Sequence, residues 1–204
     1  MLRSSFLAAP ASLVFLVALL SGCASVVPTP APPLTPAVVR DRDARGEDGH
    51  FTFYSLRDDR RVPAADSASA DWDLAFRATT ILVNGGTSGP GLGGVVVLPD
   101  TTFEAVDTAP RNDAFVQDRG LEHEETAIPG GAGNGWYAYD FVTGIVAPRP
   151  VVLGVRTADG RFAKVEILSY YQGAPEGDAL DPTEGFRYYT FRYLFQPDGS
   201  RTLK

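Results

Sequence analysis

Residues 71–97, DWDLAFRATTILVNGGTSGPGLGGVVV, decide the fold class of this chain. In residues 72–77, WDLAFR, large apolar side chains alternate with small or charged ones, a period of two that is typical of a strand with one buried face. The apolar residues 81–83 extend this strand. A glycine-rich segment, 84–94, then favours a loop, and the apolar run 95–98 begins again. The stretch therefore predicts a long strand, a glycine loop and a second strand.

Two aspartates flank the tryptophan of this stretch, Asp71 and Asp73. Because they are two residues apart on a strand, they fall on one face, opposite Trp72. Such a carboxylate pair can in principle serve acid–base catalysis. The pattern favours the simpler interpretation, in which both side chains face the solvent.

The rest of the chain continues the β pattern. Ala158-Asp159-Gly160-Arg161 contains the Asp-Gly pair that is a strong hairpin signal. No segment requires a helix of ordinary length, so we predict an all-β fold, a single antiparallel β domain spanning residues 49–204. Its other predicted strands are His50–Leu56, Trp136–Phe141, Val151–Arg156, Phe162–Tyr171 and Phe186–Gln196.

Composition excludes some classes of function. The chain has 204 residues, 44% of them hydrophobic, which suffices for one domain with a core. Its net charge is −7, and no basic patch is visible, so nucleic acid is not an expected partner. The sequence has neither a G-x-S-x-G nucleophile motif nor a phosphate-binding loop followed by Lys and Ser or Thr. We therefore expect a protein that is not an enzyme.

The N-terminal residues predict a lipoprotein signal peptide, residues 1–22. Arg3 supplies the positive charge, and residues 13–20 supply an apolar run too short for a comfortable membrane span. Leu20-Ser21-Gly22-Cys23 then resembles a bacterial lipobox, in which Cys23 carries the lipid attachment, such as palmitate. An ordinary secretory signal with a chance cysteine is the alternative.

Residues 23–48 follow as a predicted tether. Their first part is rich in proline and their last part is charged, so both favour an extended or disordered linker. Ala24, not aspartate, follows Cys23, which by the usual sorting pattern favours anchoring in the outer membrane. Cys23 is the only cysteine, so the domain can form no internal disulfide.

Three ordered segments behind the lipobox carry a family resemblance: WDLAF with NGGTSG at 72–89, RTADGRFAK running into LSYY at 156–171, and YTFRY with QPDGS at 189–200. Together they resemble the HmuY-like family of bacterial lipoproteins, over residues 49–203. The resemblance implies an all-β outer-membrane lipoprotein that binds haem and passes it to a TonB-dependent receptor. It also implies histidine or methionine iron ligands on loops at one end of the β structure.

The iron ligands of this chain must be sought among few residues, because haem iron takes His, Met, Cys or Tyr as axial ligand. The only methionine is Met1, and the segment after WYAYD contains Gly144 and no histidine. Of the two histidines, His123 is the better candidate for haem iron and His50 the weaker one. Tyr137 could ligate iron or stack on a porphyrin, although such tyrosines are more often core residues. A solvated position in an acidic run is the alternative for His123.

The sequence thus predicts a lipid-anchored binding protein that captures haem or a related tetrapyrrole as its cofactor or cargo for an outer-membrane uptake system. Its location would be the cell surface or the periplasmic face of the outer membrane. The alternative is an interaction or structural lipoprotein of the same fold that does not bind haem.

Overall fold

The computed structural model describes residues 33–122 and 124–204, and strands dominate them. None of the helices in this part of the chain has the length and apolar composition needed to span a bilayer. They are four short 3₁₀ helices, Ala64–Asp66, Phe103–Ala105, Asn112–Ala114 and Gly177–Ala179. The strands are β1 Ala37–Asp43, β2 Thr52–Ser55, β3 Arg60–Val62, β4 Leu74–Arg77, β5 Thr80–Val83, β6 Gly94–Pro99, β7 Tyr137–Tyr139, β8 Val146–Pro148, β9 Val151–Arg156, β10 Phe162–Tyr171 and β11 Phe186–Gln196.

These strands form two larger sheets and one hairpin. The five-stranded sheet has the order β1-β11-β10-β9-β6, the four-stranded sheet has the order β3-β2-β4-β5, and β7 pairs with β8. All named strands pair antiparallel. The prediction of an all-β antiparallel domain is therefore confirmed.

The main core lies between the two larger sheets. Each contributes aromatic side chains: the ring of Phe76 on β4 stacks on Phe191 of β11 with centroids 5.4 Å apart, and Tyr54 of β2 meets the same ring edge-on at 5.6 Å. Aromatic and β-branched residues are enriched along β10 and β11, and they suit a pleated surface that is buried on one side. Packing of these rows is what holds the two sheets together.

The two ends of β10 have different surroundings, and we name them here. At the closed end, where Phe162 pairs with Gln196, a second apolar cluster covers the outer face of the sheet. At the open end, where Tyr171 pairs with Phe186, the chain continues into the loop 172–185. The cluster at the closed end consists of Phe103, Val106, Ala109, Val152, Phe162, Leu194 and Leu203.

The prediction of one long strand over residues 72–83 is wrong, because this segment forms two strands, β4 and β5. The two strands form a tight hairpin in which Arg77 pairs with Thr80, and Ala78 adopts a left-handed φ of 48°. The second predicted strand is confirmed as β6, but it belongs to the five-stranded sheet. The stretch 71–97 therefore connects the two sheets.

Asp73 is buried, contrary to the prediction that it faces the solvent, and only 4% of it is exposed. Its carboxylate accepts hydrogen bonds from the backbone N–H of Leu56 at 2.7 Å and of Ala158 at 2.9 Å. Ala158 belongs to the turn between β9 and β10, so this carboxylate ties the four-stranded sheet to the closed end. Asp71 is exposed as predicted.

The predicted tether extends too far toward the domain. Residues 37–43, within the segment 23–48, form β1 and pair with β11 along the edge of the five-stranded sheet. The side chain of Val39 is buried in the main core, which offsets the entropy of ordering this segment. The structured domain therefore begins before Gly49. The signal peptide and Cys23 lie outside the described residues.

Candidate functional site

The open end is built by two segments that meet beyond β10. The hairpin of β7 and β8 is attached there, because the backbone N–H of Val146 donates to the Tyr171 hydroxyl at 3.0 Å. The loop 172–185 lies beside this hairpin: a Cβ atom at Gly144 would stand 3.8 Å from Pro182. Both segments carry few buried residues, so this end is rimmed by loops.

Apolar side chains are displayed at the tip of the hairpin. Phe141 is 87% exposed and Val142 is 94% exposed. The ring of Tyr139 meets that of Phe141 edge-on at 5.0 Å. Contiguous apolar groups in water are unfavourable and commonly mark a surface that binds something. We call Tyr139, Phe141 and Val142 the hairpin patch.

The tip is an ordered turn, because Asp140 organises its backbone. The Asp140 carboxylate accepts hydrogen bonds from the N–H groups of Val142 at 2.8 Å and Thr143 at 3.3 Å, and these donors hold the pKa of Asp140 below its usual value. Gly144, with a φ of 76°, closes the turn through a hydrogen bond to the Asp140 carbonyl. The exposed side chains therefore project from a turn whose backbone is hydrogen-bonded.

Tyr137, a predicted haem contact, lies at the root of the hairpin and is only 7% exposed. Its ring packs against Trp136 with centroids 5.0 Å apart, and Trp136 in turn contacts Tyr170 and Tyr189. The Trp136 indole N–H donates to the Thr79 carbonyl at 2.9 Å. These contacts favour a packing role for Tyr137, and its role in haem binding stays a prediction.

Of the two histidines, the structure describes His50 but not His123. The side chain of His50 is 61% exposed, and its Nδ1 lies 3.7 Å from the Asp48 carboxylate. It lines a polar cavity of about 230 Å³ together with Arg45, Phe51 and Arg61. His50 and Tyr137 therefore have different surroundings and are not brought together. His123 lies outside the described residues, so its predicted role as iron ligand also stays a prediction.

A second cavity, of about 340 Å³, opens beside the end of β11. Phe186, which is 40% exposed, and Arg187 line it, and the guanidinium carbon of Arg187 lies 5.2 Å from the centroid of the Phe186 ring. Arg45 and Glu47 complete the charged part of the lining. This cavity offers an aromatic face beside a cation.

Within the described residues, no group of three or more His, Cys, Asp or Glu side chains could hold a metal ion. Within the hairpin patch, the Tyr139 hydroxyl is of a type that can ligate iron. Sequence reasoning missed both the patch and Arg187. The run WYAYDF predicts a strand through Phe141, but the strand ends at Tyr139; the turn signal, Asp140 followed by Gly144, was present in the sequence.

Comparison with known proteins agrees with this fold. The apo HmuY analog of Tannerella forsythia superposes with a TM-score of 0.51 at 14% identity, covering 81% of this chain and 96% of that chain. A candidate HmuY-like haem-binding protein from Bacteroides vulgatus and a candidate lipoprotein from Bacteroides fragilis each give a TM-score of 0.49 at 18% identity. Both cover 78% of this chain, and 90% and 88% of their own chains respectively.

No curated protein sequence matches this chain. The sequence profile of the HmuY protein family, however, matches residues 47–188, which is more than half of the chain. This range includes the four-stranded sheet, the hairpin of β7 and β8, and the loop 172–185. The chain therefore belongs to the HmuY family.

Proposed function

We propose that this protein is a lipid-anchored binding protein that captures haem or a related tetrapyrrole at its open end. The observation that carries the proposal is the hairpin patch, where Phe141 and Val142 are almost fully exposed on an ordered turn. A flat macrocycle laid on this patch would remove apolar surface of both partners from water, at about 25 cal/mol per Å². Family membership and a solved relative described as a candidate haem-binding protein support the same class of ligand.

The anchor and the partner complete the proposal. Cys23 would carry the lipid and hold the domain at the outer membrane, at either the cell surface or the periplasmic face. A TonB-dependent haem receptor is the partner that would accept the cargo. One similar structure, from Bacteroides fragilis, is described as a candidate lipoprotein, which is consistent with such an anchor. Electrophoresis with a radiolabelled fatty acid, comparing the protein with its Cys23→Ala variant, tests the attachment.

Titration of the lipidated protein in detergent tests ligand binding. Haemin should give a saturable change in the Soret band, and iron-free protoporphyrin IX should quench the fluorescence of aromatic side chains. The double variant Phe141→Ser, Val142→Ser should weaken both ligands by about tenfold or more, because most of the apolar contact is lost. The control is Leu92→Ser, Val116→Ser, which removes two exposed apolar side chains, 59% and 51% exposed, outside the hairpin.

Iron coordination is tested by comparing haemin with protoporphyrin IX, because only haemin contains iron. If His123 ligates iron, His123→Ala should alter the Soret band of bound haemin and leave protoporphyrin IX binding unchanged. His50→Ala and Tyr139→Phe separate the other candidate ligands in the same way. Absence of saturable binding by both haemin and protoporphyrin IX would overturn the proposal and favour an interaction or structural role for the same fold.

A further inference from the structure

Arg187 is a cation at the open end that lacks an acidic partner among the described side chains. Among residues 33–122 and 124–204, the side chain of Asp178 excepted, no carboxylate lies within 4.0 Å of its guanidinium. Its closest hydrogen-bond acceptor on the backbone is the Arg45 carbonyl, at 3.4 Å from Nη1. A guanidinium has five N–H donors in a planar fork, so donors remain for a ligand besides those that contact the Arg45 carbonyl and the Tyr170 hydroxyl.

The backbone holds this arginine in an unusual conformation. Arg187 has a φ of 66°, in the left-handed region that non-glycine residues seldom adopt. Its carbonyl accepts a hydrogen bond from the N–H of Ala44 at 2.8 Å, just beyond β1. The edge strand therefore fixes the position from which the Arg187 side chain extends into the cavity beside Phe186.

Arg45 lines the same cavity but is already neutralised. Its guanidinium contacts the carboxylates of Asp43 at 2.8 Å and Glu47 at 2.9 Å. The hydrogen bond from Arg45 lowers the pKa of Asp43, as expected for a formed ion pair. Glu47 is likewise occupied by Arg45, so it opposes an incoming anion less than a free carboxylate would. The cation that remains for a ligand is Arg187.

Arg187 is also close to the aromatic cluster under the hairpin. Burial raises the pKa of the Tyr170 hydroxyl to about 12, and the nearby Arg187 charge acts in the opposite direction. The Tyr170 ring packs on Trp136, the residue that precedes β7. Arg187 thus lies at the root of the hairpin whose tip carries the exposed apolar patch.

We propose that Arg187 binds a carboxylate of the ligand and so makes this site selective for tetrapyrroles that carry free propionates. The inference rests on the proposed function, because it assigns the polar end of the same ligand. The apolar macrocycle would contact the exposed aromatic side chains of the open end, Phe186 among them, and a propionate would enter the fork of the guanidinium. A charge-assisted pair of this kind adds geometric selectivity to apolar contact.

The test compares protoporphyrin IX with its dimethyl ester on the lipidated protein in detergent. The two ligands share the macrocycle, and neither contains iron, so axial ligands do not affect the result. The wild-type protein should bind the diacid about tenfold more tightly than the diester, as expected for one charge-assisted pair. Arg187→Gln should reduce this preference to about twofold or less, with little change in the binding of the diester.

Two further variants make the result specific. Arg111→Gln removes an equal charge from an exposed position, and it should keep the preference for the diacid. Arg187→Lys keeps the charge but not the planar fork of N–H donors, so it should give an intermediate preference for the diacid. This variant serves as the test if Arg187→Gln does not fold. A preference that is unchanged in Arg187→Gln and Arg187→Lys overturns this inference while the proposed function stands. Failure of the wild-type protein to bind either porphyrin overturns both.

Discussion

The closed and open ends of β10 place similar residues in opposite circumstances. At the closed end, Phe103 is 2% exposed, and the buried ammonium of Lys164 donates to two backbone carbonyls. At the open end, Phe141 is 87% exposed and Arg187 has no carboxylate partner among the described side chains. Each end has an aromatic ring and a cation, but only the closed end satisfies both internally.

This difference separates residues that stabilise the domain from residues that are free to bind. Burial of an aromatic side chain lowers the free energy of the folded state, and the hydrogen bonds to two carbonyls offset part of the cost of burying the Lys164 ammonium. The same groups left in water contribute little to folding and keep their capacity for a ligand. The comparison therefore predicts large stability losses at the closed end and binding losses at the open end.

The largest contrast should come from two phenylalanine truncations. Phe103→Ala should lower the free energy of unfolding by about 4 kcal/mol, because it leaves a cavity under the outer face of the sheet. Phe141→Ala should change it by less than about 0.5 kcal/mol, since its ring is already in water. Urea unfolding followed by tryptophan fluorescence measures both. Equal losses in the two variants would contradict the division between the ends.

Asp73→Ala should be nearly as destabilising, by about 3 kcal/mol, because it leaves backbone N–H groups, including those of Leu56 and Ala158, buried without an acceptor. Asp71→Ala is the matched control two residues away, where the carboxylate is exposed, and its effect should stay within about 0.5 kcal/mol. The same unfolding measurement applies. A small effect of Asp73→Ala would show that the link between the four-stranded sheet and the closed end is dispensable.

Lys164→Met should cost about 2 kcal/mol, since the carbonyls of Phe103 and Val106 lose their common donor while the side-chain volume is nearly kept. Lys204 is the only other lysine, and Lys204→Met at the exposed C-terminus should be neutral. Comparing the urea midpoints of the two variants isolates the buried position. A neutral Lys164→Met would mean that water satisfies these carbonyls.

The smallest effect concerns pH and Asp73. Burial raises the pKa of the Asp73 carboxyl above its usual value, although the N–H groups of Ala158 and Leu56 oppose the shift. Between the unfolded and the folded pKa, the folded state holds one more proton, so stability falls as pH rises through that window and is regained on acidification. Asp73→Asn does not titrate. The unfolding free energy of the wild type relative to Asp73→Asn should therefore increase as pH is lowered toward about 4, the unfolded value.

If the difference in unfolding free energy between the wild type and Asp73→Asn did not change over that pH range, the raised pKa of Asp73 would be contradicted. The comparison cancels the titration of all other groups, because Asp73 is the only position at which the two chains differ. Measurements of urea unfolding at several pH values therefore need no assignment of individual carboxyl groups.

The strands that the sequence predicts best are those that can be recognised from their own residues and the adjoining turns. β9, β10 and β11 have the predicted bounds, because each is a long run of β-branched and aromatic residues and an Asp-Gly turn joins the first two. The turn at Ala78 was missed because alanine is not a turn residue, and only the pairing of β4 with β5 forces its left-handed φ. Membership of β1 in a sheet was missed because its partner, β11, lies about 150 residues away in sequence.

The candidate site depended on information that the sequence does not carry locally. An alternating tyrosine such as Tyr137 gives the same sequence pattern whether its ring faces the core or a ligand, and only the structure shows that this ring packs against Trp136. Burial of Asp73 likewise depends on the distant turn at Ala158. The exposed Phe141 and the strained Arg187 appear only when the hairpin and β11 are placed together at the open end.

The edge strand β1 has a practical consequence for anyone who shortens this protein. The family range begins at residue 47, and a fragment that starts there lacks the strand that covers β11. The part of β11 that pairs with β1, residues 188–193, would then present unpaired peptide groups along that edge to other molecules. Such a fragment should self-associate edge to edge, so recombinant versions ought to retain the chain from Leu34 onward.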